Sequence, residues 1–287
     1  MSAPTEPSTT PGAPGEGVTA ASEIRPPDGP PSRLTTVQAV GLRSFYKLLR
    51  SPQFLGIAIV QSLVFLFMFR YVIGGAIGVP GVEYVDFLVP GFVVAGLLFA
   101  AGGAAVGTAE DAESGLFDRF RSLPIHDGST LVGRLIADSA MLVVVAVVTL
   151  AIGFLFGFRL SGPTLGLLGA LGLILVYAFA VSAVFQLLGL VSGGGQAAQG
   201  LSILAVPFSF ISSAFVPVES MPSWLQWLAD WQPLTFMVNS WRGLLLGDAV
   251  IQTFDHSLSF YVVGSLVWCV VLTALGLGLS LWAYRKE

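Results

Sequence analysis

Long stretches of this chain carry no charged side chain at all, Phe87–Thr108 and Met141–Phe158 among them. Runs of that kind, each near the roughly 20 apolar residues that cross a bilayer as helix, leave few folds open. In lipid every backbone N–H and C=O must be satisfied within the protein, so only helices or a closed barrel can span. A barrel would show alternating segments of about ten residues, and none is present. The chain is 54% hydrophobic and only 10% charged, against roughly 25% charged residues in an ordinary soluble domain. The predicted class is therefore an all-α polytopic membrane protein.

Six spans are expected, at about 54–73, 86–108, 131–158, 164–191, 198–215 and 260–284. Residues 1–32, rich in Pro, Ser, Thr, Gly and Ala, read as a disordered tail without the apolar core of a signal peptide. In 33–51, Leu34, Val37, Gly41, Phe45 and Leu48 recur at helical spacing while Arg43, Lys47 and Arg50 take another face. That pattern predicts an amphipathic helix in the headgroup layer. Its charge, and Arg285-Lys286 after the last span, place both termini on the cytoplasmic side.

Between spans 2 and 3 lies a charged island, 109–127. Thr108 is expected to cap a new helix, with Glu110, Asp111 and Glu113 at the positive end of its dipole. Leu116, Phe120 and Leu123 form an apolar ridge that Phe117 widens, and Arg119 and Arg121 mark the cytoplasmic side. The ridge either touches lipid alone or is presented to a partner. Arg134 and Asp138, one helical turn apart at the start of span 3, predict an intramembrane ion pair. Arg70, near the end of span 1, can snorkel to the interface. The small-residue end of span 2, Ala100–Ala109, predicts close helix contacts. Pro207 predicts a kink in span 5.

Residues 216–248 are unusual. Two short helices are expected to begin near Pro222 and Pro233, and Trp224, Trp227 and Trp231 recur at spacings of three and four. Indole rings at this density favour the membrane–water interface. An extracellular hairpin dipping into the outer face fits best. Ser192-Gly-Gly-Gly-Gln196 is followed by no Lys-Ser/Thr and preceded by no strand, so it reads as a turn rather than a phosphate loop. The lone Cys269 reads as a small core residue. Asp138 and His126 are the only candidates for an intramembrane enzyme, and no catalytic or metal-binding set is expected. Nothing points to nucleic acid.

Two stretches carry a family resemblance. One is the island, with Gly115, Arg119, Arg121, Ser122, Leu123, Pro124, Gly133 and Arg134 in place. The other is SSAFVPVESMPSWLQWLADWQPLTFMVNSWRGLLLG, between spans 5 and 6. Together they resemble permease subunits of the ABC type-2 transporter family, in particular the daunorubicin-resistance-type drug exporters, over about residues 33–287. The island departs from that pattern in having no Arg between its acids. The resemblance implies that 33–51 is a connecting helix, that 109–127 is a coupling helix docking on a separate ATPase through Leu116, Phe117, Phe120, Arg121 and Leu123, and that 216–248 is a re-entrant hairpin capping the pathway. It implies ATP and magnesium on the ATPase, none on this chain, and two permeases, identical or related, per exporter in the cell membrane. A hydrophobic or amphipathic cargo such as an antibiotic is expected from the Phe-rich spans. Export of lipid or polysaccharide, and a non-transport assembly or sensor role, are the alternatives.

Overall fold

A computed structural model describes residues 52–75, 82–117, 127–247, 250 and 256–286. Among them there is helix and no strand. The amphipathic helix expected over 33–51, the disordered tail, and Phe120, Arg121 and Leu123 lie outside the described residues.

Helix α1, Pro52–Met68, begins on a proline, which needs no donor there, and runs on into a π turn, Phe69–Ile73. Helix α2, Tyr84–Glu113, is the axis of the molecule. At 1.5 Å per residue it is about 45 Å long, well beyond a hydrocarbon core of about 30 Å. Its continuity corrects one expectation. Thr108 caps no new helix; its hydroxyl donates to the Ala104 carbonyl, 2.8 Å away, inside an unbroken one. Small, good helix formers on both sides of Thr108 leave nothing to stop the helix there. It ends where Gly115, at φ +65°, takes the left-handed position that suits glycine.

Helices α3, Asp127–Leu155, and α4, Thr164–Val191, follow. The fifth expected span is not one helix but two, α5, Gly195–Ser202, and α6, Ala205–Phe210. Pro207 accounts for the break. It has no N–H for the carbonyl four residues earlier, and its ring clashes with that carbonyl. The helix therefore opens at Ile203-Leu204, upstream of the proline, and Val206 bonds to Ile203 over a tighter turn at 2.9 Å. Beyond a short turn at Val218–Ser220 come α7, Ser223–Trp231, α8, Pro233–Leu246, and α9, Leu258–Lys286. Four helices are long and apolar enough to cross a membrane: α2, α3, α4 and α9; α1 is shorter but apolar.

Side-chain contacts sort the helix ends onto two faces. On one, the α3–α4 turn is tied to the start of α2 by Arg159 N–H to Asp86 (2.9 Å) and to the end of α8 by Gly162 N–H to the Leu245 carbonyl (2.9 Å). On the other, the end of α2 meets the turn after α4, where Gly194 has no room for a Cβ beside Glu113. Phe117 joins Leu131, Leu190 and Tyr284 in a small apolar cluster at that same end. The main core gathers on α2, around Leu88, Phe92, Val93 and Leu97. The small-residue stretch does bring backbones together: at Gly189 of α4, a Cβ would strike the Ala105 carbonyl. Gln186 donates to the Leu131 carbonyl at 3.0 Å, and Trp241 Nε1 to that of Ala170 at 2.7 Å. Cys269 is buried in the core. Large apolar side chains stand outward along the periphery, Val60, Val64 and Phe67 on α1 and Val263, Val267 and Val270 on α9. In water this would be an aggregation surface; in lipid it is the natural exterior.

Candidate functional site

Helices α1, α2, α3, α5 and α6 enclose a groove of about 670 Å³. That volume lies within the range of pockets that hold drug-sized molecules, about 300–1,000 Å³. Its walls are chiefly apolar, from Ile57, Phe92, Phe99, Val145, Ile203 and Val206, with Gln61, Gln199 and Ser202 as scattered polar points. Ser62 and Thr149 also reach it, and share a hydrogen bond of 3.0 Å across α1 and α3. Glycines on α2 make the space. At Gly107 a Cβ would stand 2.5 Å from an Arg134 guanidinium nitrogen.

The two ends of the groove differ in chemistry. One end holds Glu110, Asp111, Arg134 and Asp138. Arg134 Nε lies 3.4 Å from Asp138, the partner its spacing suggests. Its guanidinium also donates to Asp111 on α2, in closer contact. So the arginine bridges two helices rather than bracing one. The unbroken α2 is the reason, since it carries Asp111 alongside the start of α3.

Of the expected ridge, Leu116 is half-buried and Phe117 only 5% exposed. The Phe117 ring meets Tyr284 edge-on, centroids 5.5 Å apart. Phe117 is thus turned into the protein, linking the island to α9.

At the opposite end the groove stops at Phe92, behind which phenylalanines pack on one another. Phe215 stacks on Phe210 at 4.8 Å and on Phe69 at 5.1 Å, and sits 6.3 Å from Phe92, which in turn stacks on Phe65 at 5.7 Å. Phe215 is fully buried yet sits in the irregular segment 211–217. Irregular backbone at membrane depth survives only where protein or a cavity satisfies it. Here α8 does so. Gln232 donates to the Ile211 carbonyl, and the Ser213 N–H to Thr235 at 3.2 Å. The Ser213 hydroxyl bonds to Asn239 at 3.0 Å, and Arg242 Nη2 to the Ala214 carbonyl at 2.9 Å. From the α2 side, Tyr84 donates to the Phe215 carbonyl at 3.2 Å.

Arg242 is 1% exposed. Its Nε donates to the Phe87 carbonyl at 2.9 Å, its Nη1 lies 3.5 Å from Asn239, and its guanidinium carbon stands 3.5 Å over the centre of the Phe87 ring. Carbonyl dipoles and an aromatic face stand in direct contact with this charge. Pro222 caps α7 and Pro233 is the first residue of α8. Trp224, Trp227 and Trp231 are 75%, 70% and 55% exposed, while Ala229 on the opposite side of α7 is buried.

The sequence reading missed the polar stripe of α8. The signal was there: Gln232, Thr235, Asn239 and Arg242 follow at spacings of three, four and three, one face of a helix whose other residues are mostly apolar. Asp111 was missed as a partner of Arg134 because the partner lies on another helix.

The ABC-2 type transporter family matches residues 35–246. A daunorubicin resistance ABC transporter permease protein, DrrB1, from Streptomyces coeruleorubidus is 34% identical over 232 residues, covering 80% of this chain and 78% of that protein. A probable doxorubicin resistance ABC transporter permease protein, DrrC, from two strains of Mycobacterium tuberculosis is 24% identical over 220 residues, covering 76% of this chain and 79% of that protein.

Proposed function

Since the chain belongs to the ABC-2 type transporter family, we propose that it is the membrane subunit of an ATP-driven exporter of hydrophobic or amphipathic compounds. One observation carries this reading: an apolar groove of drug-sized volume, charged at one end and backed by packed aromatic rings at the other. The charged end faces the cytoplasm and receives cargo; the phenylalanine end faces outward. Three carboxylates there stand against one guanidinium, so an amphipathic cation is favoured over an anion by simple Coulomb attraction. The largely apolar walls favour such a compound over a polysaccharide.

Six crossings fit the chain, with α1 and its π turn as the first and the broken α5–α6 pair as the fifth. Both termini are then cytoplasmic, in the cell membrane. Short helices α7 and α8 form the outer hairpin, its tryptophans at the interface. The chain works with a separate ABC ATPase, which holds ATP and magnesium, and with a second permease, a copy or a relative. The island docks on the ATPase through Leu116, Phe120, Arg121 and Leu123. Phe117 transmits from beneath, through Tyr284. Movement of the island reaches α3 through Asp111 and Arg134. ATP can drive the cycle only if the ATPase grips the inward-facing and outward-facing states differently.

The test is co-expression with a candidate ATPase and reconstitution in lipid vesicles. An amphipathic amine such as an anthracycline is expected to stimulate ATP hydrolysis and to be moved. Phe120→Asp is expected to insert normally but to lose both ATPase co-purification and transport. Undiminished transport by that variant refutes the coupling assignment.

A further inference from the structure

Phe215 packs behind Phe92 at the end of the groove, from a turn segment that lies beyond the last helical hydrogen bonds of α6. Side chains hold it there: Tyr84 bonds the Phe215 carbonyl itself, and Arg242 grips that of its neighbour, Ala214. We infer that Arg242 is the positioning residue of the outer closure: its planar fork ties the Ala214 carbonyl to the Phe87 carbonyl on α2 and so sets how firmly Phe215 is held behind Phe92. This rests on the groove being the export route.

Three features carry the inference. First, the two donors belong to one rigid group but go to two separate elements, at 2.9 Å each. A guanidinium can bridge in this way, whereas an ammonium is a single point donor. Second, Gly91, one turn along α2 from Phe87, has no room for a Cβ beside the Ala214 carbonyl. Backbone meets backbone there, and the arginine pins the contact. Third, the guanidinium stacks on Phe87 and is steadied by Asn239, one turn back on α8. Because α8 supplies these groups, a shift of the outer hairpin is passed directly to Phe215. The closure therefore opens when α8 moves, not when Phe215 alone changes rotamer.

The experiment uses the full permease with Cys269→Ser and a reporter, Ser212→Cys, at a fully buried position in the irregular segment. A membrane-impermeant maleimide is applied from the outer side of vesicles. In the Arg242 parent the reporter labels slowly. Arg242→Gln is expected to raise the labelling rate about tenfold or more, since a charged hydrogen-bonding group bridging two elements is lost. Arg242→Lys is expected to fall between the two; a merely structural charge would make Lys equal to the parent or equal to Gln. An unchanged rate in Arg242→Gln, or labelling only from the inner side, overturns the inference. If Arg242→Gln fails to insert, Asn239→Ala takes its place, with a rise of about threefold expected and no rise counting against. Labelling needs no ATPase. A graded Gln, Lys and parent series without ATP-linked transport would uphold Arg242 as positioning residue and sink the export reading alone.

Discussion

Removing the Asp111 carboxylate is the sharpest test of how the inner end is held. Asp111 and Asp138 both stand against Arg134, and their geometry toward it differs. Asp111 accepts a direct charge-assisted hydrogen bond across helices, whereas Asp138 lies 3.4 Å from Nε on the same helix. Side-chain exposures of 11%, 20% and 14% for Arg134, Asp111 and Asp138 put the network partly out of water. A hydrogen bond to a charged group contributes about 1.5–3 kcal/mol. A same-helix pair one turn apart is worth about 0.3–0.5 kcal/mol when exposed, and somewhat more with this burial. Asp111→Ala should therefore destabilise the permease by about 1.5–3 kcal/mol, and Asp138→Ala by about 1 kcal/mol or less. Unfolding by denaturing detergent in mixed micelles reads both. The exchange Asp111→Arg with Arg134→Asp should recover part of the loss, limited by repulsion between the new aspartate and Asp138. Equal costs for the two alanine variants, or an exchange variant no better than its single parents, would show that the cross-helix bond does not dominate.

Paired glycines on α2 make a second prediction. Gly91→Ala drives a Cβ into the Ala214 carbonyl and should cost about 1–3 kcal/mol by overpacking, whereas Gly96, with nothing within 4 Å of a new Cβ, should gain about 0.5–1 kcal/mol on change to Ala. The same unfolding assay compares them, and equal effects would contradict the described contact. On the hairpin, Trp227→Cys in a Cys269→Ser background should react with an impermeant maleimide from outside the cell; reaction only from the cytoplasmic side would invert the proposed topology.

Charge-free runs were enough to locate α2, α3, α4 and α9, because hydrocarbon demands uninterrupted apolar helix. The short pair α7 and α8 was legible from Pro222, Pro233 and the tryptophan spacing. Three things were not. The end of α2 depends on Gly115 taking a left-handed turn, and Thr108 resembles a cap only when the helix around it is not yet known to continue. Pro207 signals a break, but the backbone opens four residues upstream, at the carbonyl it cannot serve. For Arg134, local spacing pointed to Asp138, while the stronger partner came from a helix that only the tertiary arrangement brings alongside. The stripe on α8 was legible in its spacing but its role was not: its polar groups face backbone, and a sequence gives no sign that a neighbouring segment needs their hydrogen bonds.

The seats between the long helices have a mechanical corollary. Where α4 crosses α2 at Gly189, and α9 crosses α4 at Gly276 beside Ala183, main chain rests on main chain with no long side chain between. Such joints have little to slide over, so these three helices must travel as a single rigid post. The spare joints lie outside it, at the break between α5 and α6 and at the turns that flank the short α7 and α8. For the proposed exporter, spin-label distances across the cycle should vary at those joints while those within the post stay constant.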